Sequence, residues 1–217
     1  MRTVITLILI AMVFLLISCG NQDKANKSMP VVKAPKVDLH SAVVASDLET
    51  IKKHIKAGSD LNVLEPSRAS TPLITAAAVG NAEAAKLLIG GGADLNYQNA
   101  DGSTALHTAT VFNRTDVAKV LIDSGIDLNL KNLNGSTALH LAAFFGRSDI
   151  AKILLDKGAD KTIKNNSGQT AAESVQAPFE NVKGIYDAVG ASLRPLGVVL
   201  DYDQIKAARP KIAEMLK

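Results

Sequence analysis

Five side chains in this sequence have the chemistry to ligate a metal or to react: Cys19 and the histidines His40, His54, His107 and His140. A zinc ion would gather three or four such groups at about 2 Å. A thiolate could act as a nucleophile and an imidazole as a general base. The acids Asp60, Asp94, Asp127 and Asp160 recur at nearly constant spacing, and a residue that recurs has a job in every copy of a pattern, without an acid–base role. Gly90-Gly91-Gly92 is not a phosphate loop, because it ends a helical pattern and lacks the Gly-Lys-Ser/Thr continuation. No nucleophile lies in a recognisable elbow, and neither cysteine nor an acidic cluster surrounds His54.

Cys19 is the only cysteine, so no disulfide can form within the chain. Its position gives it another chemistry. A basic start at Arg2 leads into an apolar run from Val4 to Ile17, which is 14 residues. A membrane-spanning helix needs roughly 20, so the run has the length of a signal peptide. Leu16-Ile17-Ser18-Cys19 resembles the lipobox of bacterial lipoproteins. That resemblance implies cleavage after residue 18 and lipidation of Cys19; the competing reading is an uncleaved anchor with an incidental cysteine. In the family rule, Asp after the cysteine retains the protein in the inner membrane. Gly20 and Asn21 stand there instead, which implies an outer-membrane, periplasm-facing location. Each acyl methylene contributes about 0.8 kcal/mol, and more than one chain makes the anchor stable.

Residues 19–37 follow as a polar tether with Lys24, Lys27, Lys33, Lys36 and two prolines, and no helical period. Such a segment spans at most about 60 Å when extended and on the order of 23 Å as a coil.

The elements that position the remaining histidines and acids emerge from a repeat. Thr71, Thr104, Thr137 and Thr170 stand 33 residues apart and open TPLITAAAVGN, TALHTATVFNR, TALHLAAFFGR and TAAESVQAPFE. GGADLN, SGIDLN and KGADKT close the first three of these copies. A more diverged copy begins at Leu39-His40. Leu73, Ala76 and Ala77, then Ala84, Leu87 and Leu88, fall at helical spacing. A helix pair with two apolar faces cannot bury both alone, so the copies must stack. The threonines sit at N-cap positions, and Gly58, Gly92, Gly125 and Gly158 fall where a left-handed residue ends the second helix.

These features resemble the ankyrin repeat: T-P-L-H opening one helix, G-A-D-x-N closing the next, and a glycine-containing hairpin between units. The departures are modest: Ala105 and Ala138 for proline, Ile74 for histidine, and Asn113 for a helix-linking glycine. The resemblance implies an all-α repeat solenoid of helix–turn–helix units with β-hairpin loops over residues 38–176, comprising four repeats and a degenerate fifth. It also implies that His40, His107 and His140 hydrogen-bond within and between hairpin turns. Histidines of neighbouring copies lie about 10 Å apart in such a stack, too far to share one metal.

Hydrophobic residues make up 47% of the 217 residues, with aromatics at 4% and no Trp. A core of Ala, Leu, Ile and Val fits closely stacked helices. The net charge of +3 is far from the basic face that nucleic-acid binding requires. No cofactor or metal is expected. Residues 177–217 leave the repeat pattern. Phe179, Val182, Ile185, Tyr186 and Val189 keep helical spacing, Asp203 can cap a later helix, and Pro210 starts or kinks a final turn. This tail is expected to be a helical cap over the last open apolar face, as on some bacterial ankyrin lipoproteins.

Ankyrin stacks bind proteins through their hairpin tips and first helices. By register Val79, Phe112 and Phe145 form an exposed ladder, preceded by Ala78, Val111 and Phe144; the alternative tucks one member of each pair into the core. At the tips stand Tyr97, Asp101, Lys131, Leu133, Asn134, Lys164 and Asn166. The expected function is a lipid-anchored module that docks an envelope protein and regulates or protects it, without catalysis. The rivals are an effector or immunity protein that binds a foreign or host protein, and an enzyme assembled by the tail.

Overall fold

Thr104 shows how each unit begins. Its hydroxyl accepts the N–H of His107 at 3.4 Å, and its own N–H donates to His107 Nδ1 at 3.2 Å, so both ends of the first turn are satisfied. In the computed structural model, which describes residues 33–217, the same device recurs along the chain. Asp38 caps α1 (Leu39–Val44), Thr71 caps α3 (Pro72–Val79) with Pro72 at the first turn, and Thr104 caps α5 (Ala105–Val111). Thr137 precedes α7 (Ala138–Phe144), where its N–H donates to His140 Nδ1.

Each first helix is followed by an antiparallel second helix of nine residues: α2 (Leu48–Lys56), α4 (Ala82–Gly90), α6 (Thr115–Asp123) and α8 (Ser148–Asp156). The link between them needs a left-handed residue. Ser46, Gly80, Asn113 and Gly146 supply φ of 56°, 83°, 55° and 67°, and Asn tolerates this region better than most residues. Gly58, Gly92, Gly125 and Gly158, also at positive φ, terminate the second helices as expected.

First helices pack on first helices and second on second, copy after copy. The core between them is aliphatic and continuous: Leu73, Ala76 and Ala77, then Leu106 and Ala109, then Leu139, Ala142 and Ala143, backed by Leu88, Leu121 and Leu154. The many buried alanines let the helices approach closely.

The loops between copies are tight turns and not strands. Asn99 N–H donates to Ser103 O, Asn132 to Ser136 O and Asn165 to Gln169 O. One such bond per loop is too little for a ladder, and no strand forms among the described residues, whereas the resemblance implied a β-hairpin. The loops do bond to each other: Ala100 N–H to Arg68 O, Leu133 N–H to Asp101 O, Asn166 N–H to Asn134 O. Gly102 permits this approach, since a Cβ there would lie 2.8 Å from Leu133 N.

Beyond the fourth pair, a 3-10 turn (Glu173–Val175) replaces a fifth first helix. α9 (Phe179–Leu193) and α10 (Tyr202–Met215) complete the described chain, and α10 packs on α7 and α8. Phe179 and Tyr186 are buried and Val182 half-buried, but Ile185 is 55% exposed, so the apolar face of α9 is narrower than its spacing suggested. Pro210 lies inside α10 and is exposed. Residues 33–37 contain no helix. Cys19, the signal segment 1–18 and most of the tether lie outside the described residues.

Candidate functional site

The four histidines are engaged through both ring nitrogens. His107 Nε2 donates to Ser136 O at 3.0 Å and Nδ1 faces Thr104; His140 Nε2 donates to Gln169 O at 3.1 Å and Nδ1 faces Thr137. Because a carbonyl only accepts, Nε2 carries the proton and Nδ1 is the acceptor. His40 bridges Val63 O and the Thr75 hydroxyl across a repeat boundary, and His54 holds Val37 O and the Ser59 hydroxyl. Burial pushes the pKa of His107 and of His140 below the ordinary imidazole value. Among the described residues no three His, Cys, Asp or Glu side chains gather as a metal-binding group.

The periodic acids are equally local. Asp60, Asp94, Asp127 and Asp160 each accept the backbone N–H two residues on, closing a turn at 2.8–2.9 Å. Their own N–H groups extend the pattern between copies, where Asp94 donates to Asn62 Oδ1, Asp127 to Asn96 Oδ1 and Asp160 to Asn129 Oδ1.

The expected exposed ladder is real at its first member only. Val79 is 41% exposed, Phe112 is half-buried, and Phe145 is buried at 4% exposure. The correction at Phe145 has a physical cause in the tail. Phe144, half-buried, stacks on Tyr186 with centroids 4.4 Å apart, while Phe145 meets Phe144 edge-on at 5.0 Å. One residue further, α10 passes so close that a Cβ on Gly146 would sit 3.0 Å from Ile205 Cα. Arg147 closes the other side, with its guanidinium 6.0 Å from the Phe145 ring centre. The rings enlarge along the stack because the last ones meet the tail.

Polar contacts lock the tail there. Arg209, buried, donates through Nη1 to the Tyr186 hydroxyl at 2.7 Å and through Nη2 to Ala177 O at 2.6 Å. Tyr186 in turn donates to Phe144 O at 2.8 Å. The burial that surrounds this hydroxyl pushes its pKa up, partly offset by Arg209. Sequence reasoning missed Arg209 and Arg147. The one available signal was aromatic: Phe144, Phe145, Phe179, Tyr186 and Tyr202 all gather at this junction in a chain otherwise poor in rings.

At the hairpin tips the candidates separate. Tyr97 is half-buried against the core. Asp101 pairs with Arg68 at 3.1 Å, and Lys131 Nζ donates to Lys164 O at 2.8 Å. Asn134 is exposed, and Asn166 Nδ2 donates to Leu133 O at 2.8 Å. Leu133 is 70% exposed although its backbone is held from both neighbouring loops. It is an apolar side chain presented on a fixed frame. Among the described residues no helix is long and apolar enough to cross a membrane.

Two family models match the chain. A model of ankyrin repeats in three copies covers residues 39–132, and one of ankyrin repeats in many copies covers residues 121–173. Comparison with curated proteins found no match. With the two models spanning well over half of the 217 residues, and with helix pairs, turns and histidines arranged as described, the chain belongs to the ankyrin-repeat family and carries a protein–protein interaction module.

Proposed function

We propose that the chain is a lipid-anchored docking module of the cell envelope, facing the periplasm from the outer membrane, whose loop-tip surface captures another protein. The observation that carries the docking surface is Leu133, exposed at a tip whose backbone accepts and donates across both adjacent copies. A side chain on a pre-ordered backbone loses little conformational freedom on binding, and a desolvated apolar anchor concentrates binding energy. Val79, exposed at the end of α3, extends the surface. Support for the anchor rests on Arg2, the apolar run Val4–Ile17 and the Leu16–Cys19 motif.

Crosslinking in intact cells, followed by recovery of the chain from washed membranes, tests both halves. Cys19→Ala should leave the protein in the soluble fraction, and continued membrane association refutes the anchor. Leu133→Asp should remove a crosslinked envelope protein that the parent chain captures. An unchanged set of crosslinks moves the docking surface elsewhere.

A further inference from the structure

The second helices change charge from one end of the stack to the other. α2 and α4 carry Lys52, Lys53, Lys56 and Lys86 against Glu49 and Glu83. α6 and α8 reverse the balance, with Lys119 and Lys152 against Asp116, Asp123, Asp149 and Asp156. The last position of the helix makes much of the difference. There Asp123 and Asp156 each pair with the lysine four residues before them, whereas α2 has Lys56 and α4 has Gly90. Lys52 and Lys86 pair with Glu49 and Glu83 at 2.7 Å and 2.6 Å, in exposed bridges that contribute little and yield to competing anions.

Between the C-terminal halves of α2 and α4 lies an open groove of about 330 Å³. Half-buried Ile55 and Leu87 form its floor with Gly90 and Gly91, and Lys52, Lys56 and Lys86 form its rim. Gly91 is needed for this close packing, since a Cβ would lie 2.8 Å from Leu61 Cδ1 and 3.1 Å from Ile55 Cγ1. The carbonyls at the end of α4 are already occupied: Leu87 O, Leu88 O and Ile89 O accept from Gly91, Ala93 and Gly92. Between α6 and α8 the corresponding place is spanned by the ion pair of Lys157 with Asp123 at 2.8 Å. The basic, apolar groove thus belongs to the first two copies.

The tether reaches the stack beside this groove. His54, buried on α2, donates through Nε2 to Val37 O at 2.8 Å and so fixes the last residue of the tether against that helix. Lys33 and Lys36, just before it, are exposed. Cys19 stands 18 residues before Val37 in the sequence, and a coil of that length spans on the order of 23 Å. α8, with its acids, lies three copies farther along.

We propose that the face formed by α2 and α4 lies on an anionic phospholipid surface, with head groups between the lysines and the upper acyl carbons over Ile55 and Leu87. The proposal rests on the lipid-anchor reading above, which brings this end of the stack to a bilayer. Each lysine close to an anionic surface favours the docked state about fivefold, and long lysine stems lie along apolar surface while their ammonium groups reach the phosphates. The carboxylates of α6 and α8 are repelled by the same surface. The stack therefore stands with its first copies on the membrane and its last copies away from it.

The purified full chain, mixed with preformed vesicles of phosphatidylcholine alone or of equal parts phosphatidylcholine and phosphatidylglycerol, tests this. Brief acetylation read by mass spectrometry gives the reactivity of each lysine. In the mixed vesicles Lys52, Lys56 and Lys86 should react about fivefold more slowly than in phosphatidylcholine, with Lys119 and Lys152 unchanged. Salt at about 1 M, where the Debye length is about 3 Å, should erase the contrast. In Lys56→Gln with Lys86→Gln, both at exposed positions, Lys52 should regain its phosphatidylcholine reactivity while Tm stays unchanged. Flotation with phosphatidylcholine vesicles reads the anchor by itself, so a chain left behind there fails the anchor reading and not the face. Equal slowing at Lys119 and Lys152, or no slowing at Lys52, Lys56 and Lys86 in mixed vesicles, overturns the proposal. Slowing of those three in intact cells but not in mixed vesicles assigns the face to an acidic protein and overturns it as well.

Discussion

Asn129 Oδ1 accepts the backbone N–H of Asp160 at 2.9 Å, so that a side chain of one repeat closes the turn of the next. The same bond joins Asn62 to Asp94 and Asn96 to Asp127, and in each turn the aspartate carboxylate accepts the N–H two residues on. At the fourth copy the asparagine position holds Thr162, whose hydroxyl turns back onto Asp160. No further turn follows there to be held, and the side chain that would hold it is gone.

Asn129→Ala should therefore destabilise the stack by about 1 kcal/mol, the net worth of one hydrogen bond with its donor left unpaired. Thr162→Asn, with no neighbour to reach, should change stability little. Urea midpoints of the two variants beside the parent chain check this.

Acid should weaken the fold in two separate windows. Burial holds His107 and His140 below the ordinary value of 6.5, so below about that pH the unfolded chain takes up protons that the folded chain does not. Stability from these groups is complete above that pH and falls as the pH drops through it, because protonation also destroys the Nδ1 acceptor facing each threonine. Glu65 and Asp123, held near about 2 chiefly by the Ser67 hydroxyl and the Lys119 ammonium respectively, contribute losses only below the ordinary carboxylate range. Urea midpoints measured from about pH 7.5 to about pH 5.5 should fall, and His107→Gln should flatten that slope while leaving the more acidic loss in place.

Phe145→Asp should cost several kcal/mol and unfold or loosen the last repeat, since it buries a charge and leaves a void beside Phe144. Leu133→Asp, at a position 70% exposed, should stay within about 0.5 kcal/mol of the parent. Thermal melts separate the two outcomes, and a stable Phe145→Asp variant would falsify the burial described here.

Tyr186→Phe keeps the ring stack on Phe144 but leaves Arg209 Nη1 and Phe144 O without their shared hydroxyl. Loss of about 1–3 kcal/mol is expected, the cost of buried groups left unsatisfied. It should be confined to the tail, so limited proteolysis should cut within residues 178–217 before it touches the repeats.

The repeats were legible because their signals are local. Thr104 and His107 are three residues apart, Gly125 comes two residues after the end of α6, and the 33-residue recurrence places each copy against the next. Leu133 was legible for the same reason, as an apolar residue in a turn has no neighbour in its own loop. Phe145 was not. Its environment depends on Tyr186, 42 residues beyond Phe144, and on Ile205, and no periodicity links the tail to the stack. Arg147 reads in the sequence like Arg114, and only the approach of Gln204 makes them different.

The turn bond at Asn129 and the close passage of α10 over Gly146 together make the array extensible at one end of the last unit and not at the other. A second copy of residues 104–136 inserted before Thr137 would carry Asn129 to hold the turn that follows it, and would present to its neighbour the surface that neighbour already meets. A second copy of residues 137–169 placed after Gln169 would inherit Thr162 where an acceptor is needed. It would also part Phe144, Gly146 and Arg147 of the original copy from the tail that covers them. Lineages carrying this tail can therefore lengthen or shorten the stack by whole internal units, changing how many loop tips face a partner, while the final unit and its tail pass on together as one inherited block.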